Sequence, residues 1–454
     1  MSGEDVEGGD DPGGGGEPEG GDDPEGGGEP DAGADSSRSG AGAIPAADEI
    51  VTSDDVRAAR DRIEDVVKRT PLDRSRTFAR LSGAESVGLK LETFQRTGSF
   101  KIRGAYNRMV QLSSEERERG VIAASAGNHA QGVAHAGQLL DVDATVVVPE
   151  LTPAAKIDAT RGYGAEVLVE GDIYERSYER ALELADETGR TFVHPFDDEA
   201  IVAGQGTIGL ELAEQYPELT TVVVPIGGGG LISGIATALA AQGDVRVVGV
   251  QPEGALHAKP SLAEDRMHEL SDVDTVADGI ADTRLLETTF AVIRERVDEV
   301  VGVSDRELAT AVALLAERET VVAESAGAAP IAALLSDDLD VTGEHVAAVI
   351  SGGNVDLTDH AELVRIGLGE LYRYVEVRLA VDGWPAGVAN VVDLIEVRGA
   401  ALDRLERARR SPGDHPNRVP VEVAVAGSGR EHLEELLSAL EALDSIDIVE
   451  ARWA

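Results

Sequence analysis

Between Thr70 and Gly353 the chain repeats one pattern: a short, unbroken apolar run, a polar or glycine-rich loop, then a longer helical stretch. The runs Val121–Ala124, Ala144–Val148, Glu166–Val169, Thr220–Val224, Val245–Val250 and His345–Ile350 are apolar almost throughout. A strand with that pattern has neither face in water, which is the situation of a parallel sheet covered by helices on both sides. Helical stretches at Ala130–Leu140, Asp172–Thr188, Ile201–Gln215 and Leu231–Ala241 supply the cover. Alternation over roughly 300 residues predicts a doubly wound α/β enzyme domain with two sheets. In such sheets ligands bind at the loops that follow the strands, so any chemistry is expected there.

Three such loops carry polar or glycine-rich sequences. Ser125-Ala126-Gly127-Asn128-His129-Ala130-Gln131-Gly132 joins a strand to a helix. Its amides and the helix N-terminus suit an anion such as a carboxylate, and a plain glycine turn capped by Ser or Asn is the competing account. Pro225-Ile226-Gly227-Gly228-Gly229-Gly230 follows the strand Thr220–Val224. Four glycines let backbone wrap an anion without Cβ clashes, and the next helix adds its positive end. The loop lacks the Gly-Lys-Ser/Thr ending of a nucleotide P-loop and the full dinucleotide fingerprint, so a single small phosphate is the expected ligand. Ser351-Gly352-Gly353-Asn354 follows the last core strand and places a hydroxyl where it can face a ligand.

A fourth stretch, Gln95-Arg96-Thr97-Gly98-Ser99-Phe100-Lys101-Ile102-Arg103-Gly104, holds one of only five lysines in a chain with 35 arginines. Guanidinium stays protonated, whereas a lysine amine can lose its proton and attack a carbonyl. An imine-forming lysine, a single-phosphate cradle and two polar loops together describe a site for pyridoxal phosphate.

The flanks differ from this core. Residues 1–46 are almost wholly Gly, Asp, Glu, Pro, Ala and Ser, with thirteen acids against Arg38 alone, and are expected to be disordered. Ser53–Val67 reads as an amphipathic helix capped by Ser53 and ended before Pro71. After a catalytic domain at 47–368, residues 369–454 change pattern. Tyr372–Leu379, Ala401–Arg407, Val419–Ala426 and Ile446–Ala451 read as strands, with helices at Pro385–Val397 and Arg430–Leu443. The order βαββαβ predicts a small ferredoxin-like sandwich without a catalytic cluster.

Acidic residues exceed basic ones by 85 − 40 = 45. That charge disfavours nucleic acid and anionic membranes as partners. With so few lysines and aromatics it predicts adaptation to high salt, where self-repulsion is screened. Absence of cysteine removes thiolate metal sites and cysteine nucleophiles. No apolar run approaches the ~18 residues of a membrane-crossing helix, and no signal peptide is visible, so a cytoplasmic location is expected.

With these loops in view the chain resembles the fold-type II pyridoxal-phosphate enzymes, and within them the threonine/serine dehydratase (threonine ammonia-lyase) branch. Ser99–Gly104, Ser125–Gly132, Gly227–Gly230 and Ser351–Asn354 carry the resemblance. Thr152-Pro153 with Lys156, Gly164–Val167, His194-Pro195-Phe196-Asp197 and Ala277–Ile280 extend it. It covers about Ile50 to Val364, and the C-terminal unit resembles an ACT regulatory domain. The resemblance implies that Lys101 forms the Schiff base with the cofactor and Phe100 packs on its ring. Asn128 would bond the ring's 3-oxygen, Gly227, Gly228, Gly229 and Gly230 would hold the phosphate, and Ser351 would meet the pyridine nitrogen. Ser125, with the amides of Gly127, Asn128 and His129, would clamp the substrate carboxylate. The reaction implied is dehydration and deamination of L-threonine or L-serine, with Lys101 as the base. The ACT-like unit implies a homo-oligomer, dimer or tetramer, with a branched-chain amino acid as effector and a place in isoleucine synthesis.

Serine racemase is the nearest rival. The resembling racemases carry a second serine where this chain has Ala126, which has no proton to give. They also carry an acidic metal ligand where this chain has Gln251, so no metal site is expected. A catalytically idle amino-acid sensor is the rival from another class, and the intact Lys101, Asn128 and glycine loop weigh against it. His135 is expected to pack a helix, Glu324 to cap a helix or support the site, and Lys156 to form a cap or a loop salt bridge.

Overall fold

The computed structural model describes residues 44–453, so the tail predicted to be disordered lies outside the described residues up to residue 43. Two sheets form the core. The larger has six strands, in spatial order Leu72–Ser75, Ser86–Leu91, His345–Ile350, Thr221–Pro225, Arg246–Pro252 and Glu299–Val303. Only the first pair is antiparallel. The smaller sheet is wholly parallel, in the order Glu166–Val169, Ala144–Val148, Val121–Ala124 and Thr191–Phe192. This is the expected α/β architecture, and the apolar runs fall on strands whose faces are covered, except Glu166–Val169, an edge strand in which only Val167 is buried.

Glycine sets how closely the helices between the sheets approach. Helix Lys101–Met109 crosses helix Glu199–Gln215 at Gly104 and Gly204, where a methyl on Gly204 would stand 2.7 Å from the Gly104 Cα. Helix Asn128–Leu140 approaches the start of the Lys101 helix at Gly132, where a methyl would lie 3.1 Å from the Lys101 carbonyl carbon. Neither crossing tolerates a Cβ without movement, so both lock Lys101 to the helices around it.

Behind Lys101 lies a buried ion cluster. Arg103, fully buried, donates to Glu92 through Nε and Nη2, and its Nη1 reaches Thr207 Oγ1 at 3.1 Å and Glu211 Oε1 at 2.7 Å. Lys90, also fully buried, donates to Thr70 O at 2.8 Å, to Gln215 Oε1 at 2.9 Å and to Glu211. Charges taken this far from water survive because every donor has a partner.

Helix Leu357–Glu370 packs along helix Asp305–Arg318 and leads to the C-terminal sheet. That sheet is antiparallel, in the order Ala401–Arg407, Val419–Ala426, Tyr374–Val381 and Ile446–Trp453. Helices Ala386–Val397 and Arg430–Glu441 cover one face with Val388, Val391, Ile395, Leu433, Leu436 and Leu440. Spatially the second, third, first and fourth strands lie side by side, the ferredoxin-like arrangement expected from βαββαβ.

The N-terminal helix departs from expectation. It runs Ser53–Ile63, and Thr52 rather than Ser53 is the cap, its hydroxyl accepting from Asp55 N while Asp55 returns to Thr52 N. This reciprocal box ties down the residue before Ser53. The chain leaves the helix four residues before Val67, with the amides of Val66 and Val67 both turning back to Ile63 O.

Candidate active site

Strands Ser86–Leu91, His345–Ile350 and Thr221–Pro225 lie side by side and parallel, so the loops after them open at one edge of the larger sheet. The loop after Val121–Ala124 of the smaller sheet meets them, bringing all four chemistry-bearing stretches together. Joining contacts are specific. Ser99 bridges to Gly352, Phe100 N donates to Ser351 O at 3.1 Å, and Gly353 N donates to Gly98 O at 2.9 Å.

Lys101 is the first residue of its helix, and its Nζ donates to Pro195 O at 3.0 Å, 5.3 Å from the Phe100 ring centroid. Burial lowers the Lys101 pKa, against the pull of Asp282 and Glu324. Among the described residues no carboxylate pairs with the amine within salt-bridge distance. With a single hydrogen-bond partner among the described residues, the amine has room to present a lone pair.

Asn128 opens the next helix, and its side chain is held at both ends. Its Nδ2 donates to Glu324 Oε1 at 2.7 Å, and its Oδ1 accepts from Asn354 Nδ2 at 2.6 Å. Asn354 also donates to Thr97 O at 2.7 Å. The chain therefore fixes which end of the Asn128 amide is nitrogen and leaves that nitrogen one further proton to donate. Glu324 stands at the N-cap position of helix Ser325–Leu335 but makes no side-chain cap; its carboxylate supports Asn128 instead. Burial pushes its pKa up to about 7, opposed by the bonds from Asn128 and Asn354.

Ser125 Oγ accepts from Gly127 N at 3.2 Å, which ties the turn before the helix. A methyl on Gly127 would meet nothing within 4 Å, so this residue faces open space. The amides of Asn128 and His129, in the first turn of the helix, carry the partial positive charge of its N-terminus. His129 is buried with Nε2 2.8 Å from Val193 O, and burial pushes its pKa down to about 3, so its ring stays neutral. Its contribution to an anion site is its backbone. The Gly127 N–H, expected to help clamp a carboxylate, is shared with Ser125.

Gly227–Gly230 forms the turn into helix Gly230–Ala240. Gly229 has φ +90, a left-handed conformation that favours glycine, and a methyl on Gly228 would lie 2.3 Å from the Phe196 ring. Phe196 belongs to the loop His194-Pro195-Phe196-Asp197, whose Pro195 carbonyl also holds Lys101. His194 Nδ1 accepts from the amides of Phe196 and Asp197, and Asp197 Oδ1 accepts from Thr289 N at 3.0 Å. One turn therefore sets the spacing between lysine and glycine loop. Asp282, absent from the sequence-based expectations, brings its carboxylate to this loop within hydrogen-bonding reach of the Gly228 amide.

These residues fit pyridoxal phosphate: an amine able to form an imine, a glycine turn at a helix N-terminus for one phosphate, and an amide with a spare proton. Ser351 is buried at the edge of the site with its carbonyl committed to Phe100. Lys156 reaches Asp278 Oδ2 at 3.7 Å, the expected loop salt bridge. His135 is half-buried with its ring against Tyr163, centroids 5.0 Å apart. Gln251 accepts from Ala258 N at 2.7 Å and contacts His257 Nε2 at 2.9 Å. Sequence reasoning did not find Asp282, the Asn354 contact or the Pro195 carbonyl, because each depends on which loops meet in space. Surface hollows around Arg246, Asp298, Glu299 and Glu344 lie at the opposite ends of the strands, away from this cleft.

Residues 63–352 match the family described as pyridoxal-phosphate dependent enzyme. An L-threonine ammonia-lyase from Thermotoga maritima is 42% identical over 394 residues, covering 87% of this chain and 98% of that protein. The processed form of threonine deaminase isoform 2 from Solanum lycopersicum superposes with a TM-score of 0.66 at 38% identity, covering 69% of this chain and 91% of that one. Maize serine racemase gives 0.67 at 35% identity, over 69% and 96%.

Proposed function

The chain belongs to the pyridoxal-phosphate-dependent enzymes, and from that premise we propose that its cleft converts L-threonine, and L-serine as a second substrate, to 2-oxobutanoate or pyruvate with release of ammonia. The observation that carries the reading is the extent of the likeness to an L-threonine ammonia-lyase, 98% of whose length is matched, with Lys101 and its loops inside the matched stretch.

When bound, pyridoxal phosphate supplies the electron sink that lets the Cα–H bond of an amino acid break. Lys101 takes that proton on Nζ, an amine whose basicity burial has already reduced. Pro195 O directs the amine before it reacts. The amides of Asn128 and His129, with the Ser125 hydroxyl, hold the substrate carboxylate at the positive end of their helix. Asn128, fixed by Glu324 and Asn354, keeps one proton that it would donate to the ring oxygen. Ser351 would meet the ring nitrogen with a hydroxyl rather than a carboxylate, which would keep the nitrogen neutral and suit loss of the β-hydroxyl. Ala126 offers no acid on the opposite face, which disfavours racemisation.

Regulation and assembly rest on the C-terminal sheet. Its edge strands, Ala401–Arg407 and Ile446–Trp453, carry mostly exposed residues and have a free pairing side, which supports pairing between copies in a dimer or tetramer. A branched-chain amino acid bound by this unit would match a place in isoleucine synthesis. No described helix is long and apolar enough to cross a membrane. The acid excess supports a cytoplasm of high ionic strength as the working environment. The test is direct: the purified protein is given L-threonine with and without isoleucine or valine, and keto acid is measured. Release of 2-oxobutanoate that responds to one of the two effectors is expected. Absence of keto acid overturns the activity, and indifference to both amino acids overturns the regulation.

A further inference from the structure

The mechanism above makes no use of Asp282, yet its carboxylate sits at the glycine loop. A methyl on Gly227 would lie 2.5 Å from Asp282 Oδ2, and the Gly228 amide is within hydrogen-bonding reach of the same carboxylate. Gly227 and Gly228 are the residues assigned to the cofactor phosphate. Asp282 follows the turn Asp278–Ile280, and Ile280 packs against Gly227 as well, so the backbone holds the carboxylate in place. Its charged neighbour is Lys101, with the neutral Tyr174 hydroxyl also near, and among the described residues no arginine or lysine forms a salt bridge with it. A phosphate entering the cradle thus meets a carboxylate that already stands against the same turn. Two anions at one turn disfavour each other.

We propose that Asp282 is an internal competitor for the phosphate cradle, so that cofactor capture is an exchange of one anion for another and the cofactor is held less tightly than the glycine loop alone would allow. The proposal rests on the reading of Gly227–Gly230 as the phosphate site. The competition is local: Asp282 weakens the phosphate end, while Lys101 would hold the other end of the cofactor. Cofactor lost from Lys101 by exchange with an amine is then released rather than retained.

Two variants of the full chain test this. Asp282→Asn keeps the size and an acceptor for Gly228 but removes the charge; Asp282→Ala removes both. Each is stripped of cofactor, its melting temperature is compared with that of the parent, and inorganic phosphate is titrated in by calorimetry. Phosphate is expected to bind Asp282→Asn about tenfold more tightly than the parent, and the Asn holoprotein is expected to lose its yellow absorbance more slowly on dialysis. A purely packing role would shift the melting temperature without tightening phosphate. Equal affinity in parent and Asn variant overturns the competition while leaving the cradle intact. Weaker affinity in the variant makes Asp282 a donor to the phosphate and also overturns it. Failure of every protein to bind phosphate overturns the cradle reading itself, and the proposal with it.

Discussion

Lys90 is fully buried and Lys101 half-buried, eleven positions apart, and they meet opposite fates. Burial lowers the pKa of each, and for each nearby carboxylates pull the other way. The difference lies in the partners. All three Nζ donors of Lys90 are taken, by Thr70 O, Gln215 Oε1 and Glu211. Lys101 has one partner, Pro195 O, and its nearest carboxylates belong to Asn128 and the glycine loop rather than to the amine. A lysine with three acceptors is a fixed cation; a lysine with one can lose its proton and react. The pair shows that burial alone does not make a reactive lysine. Burial without matching acceptors does.

The largest effect expected from this contrast is on turnover. Lys101→Ala should abolish keto-acid formation from L-threonine by on the order of 10⁴-fold or more, together with the yellow absorbance. Lys90 should not behave this way, because its cluster is structural. Breaking that cluster at Arg103→Met strands Glu92 and part of Glu211, and should cost about 3–5 kcal/mol in urea unfolding. A loss below about 1 kcal/mol would mean that water reaches the cluster and that the contrast with Lys101 is overdrawn.

A smaller effect is expected at the glycine loop. Gly228→Ala drives a methyl toward the Phe196 ring, and overpacking of about 1–3 kcal/mol should weaken cofactor binding roughly ten- to a hundredfold. Absorbance titration of the stripped protein reads this, and unchanged affinity would remove the loop from the site.

The smallest effect is a pH dependence. Glu324 titrates at about 7 in the folded chain, against a reference value of 4.5. Between those values the folded state keeps a proton that the unfolded state has released, so this group's effect is to lower stability as pH rises through the window. Glu324→Gln keeps an acceptor for Asn128 and removes the titration. In the stripped protein it should melt roughly 2 °C or more above the parent at pH 8 and close to it at pH 4.5. The reverse order would place Glu324 as a stabilising anion.

Much of this was legible in the chain, for stated reasons. Five of the six apolar runs became covered strands because a doubly covered sheet requires uniformly apolar sequence, and the sixth, Glu166–Val169, lies at a sheet edge with only Val167 buried. Three of the four loops met because parallel strands of one sheet point their ends the same way, and the Ser125–Gly132 loop joins them from the smaller sheet. Other strands were hidden by the features that give them their roles. Ser86–Leu91 carries Lys90 in its interior, and its burial depends on Glu211 and Gln215, more than a hundred residues away. Leu72–Ser75 is a short edge strand with charged residues, and Thr191–Phe192 has only two residues. Asp282 looked like one more acid among 85 acidic residues, and only the closeness of Gly227 singles it out.

The central claim is that Lys101, and not Lys90, is the reactive amine. Borohydride reduction of the cofactor-loaded protein, followed by peptide mapping, reads it directly. The account predicts the pyridoxyl mass on the peptide containing Lys101 and an unmodified Lys90 peptide. Label on Lys90, or on neither, would contradict it.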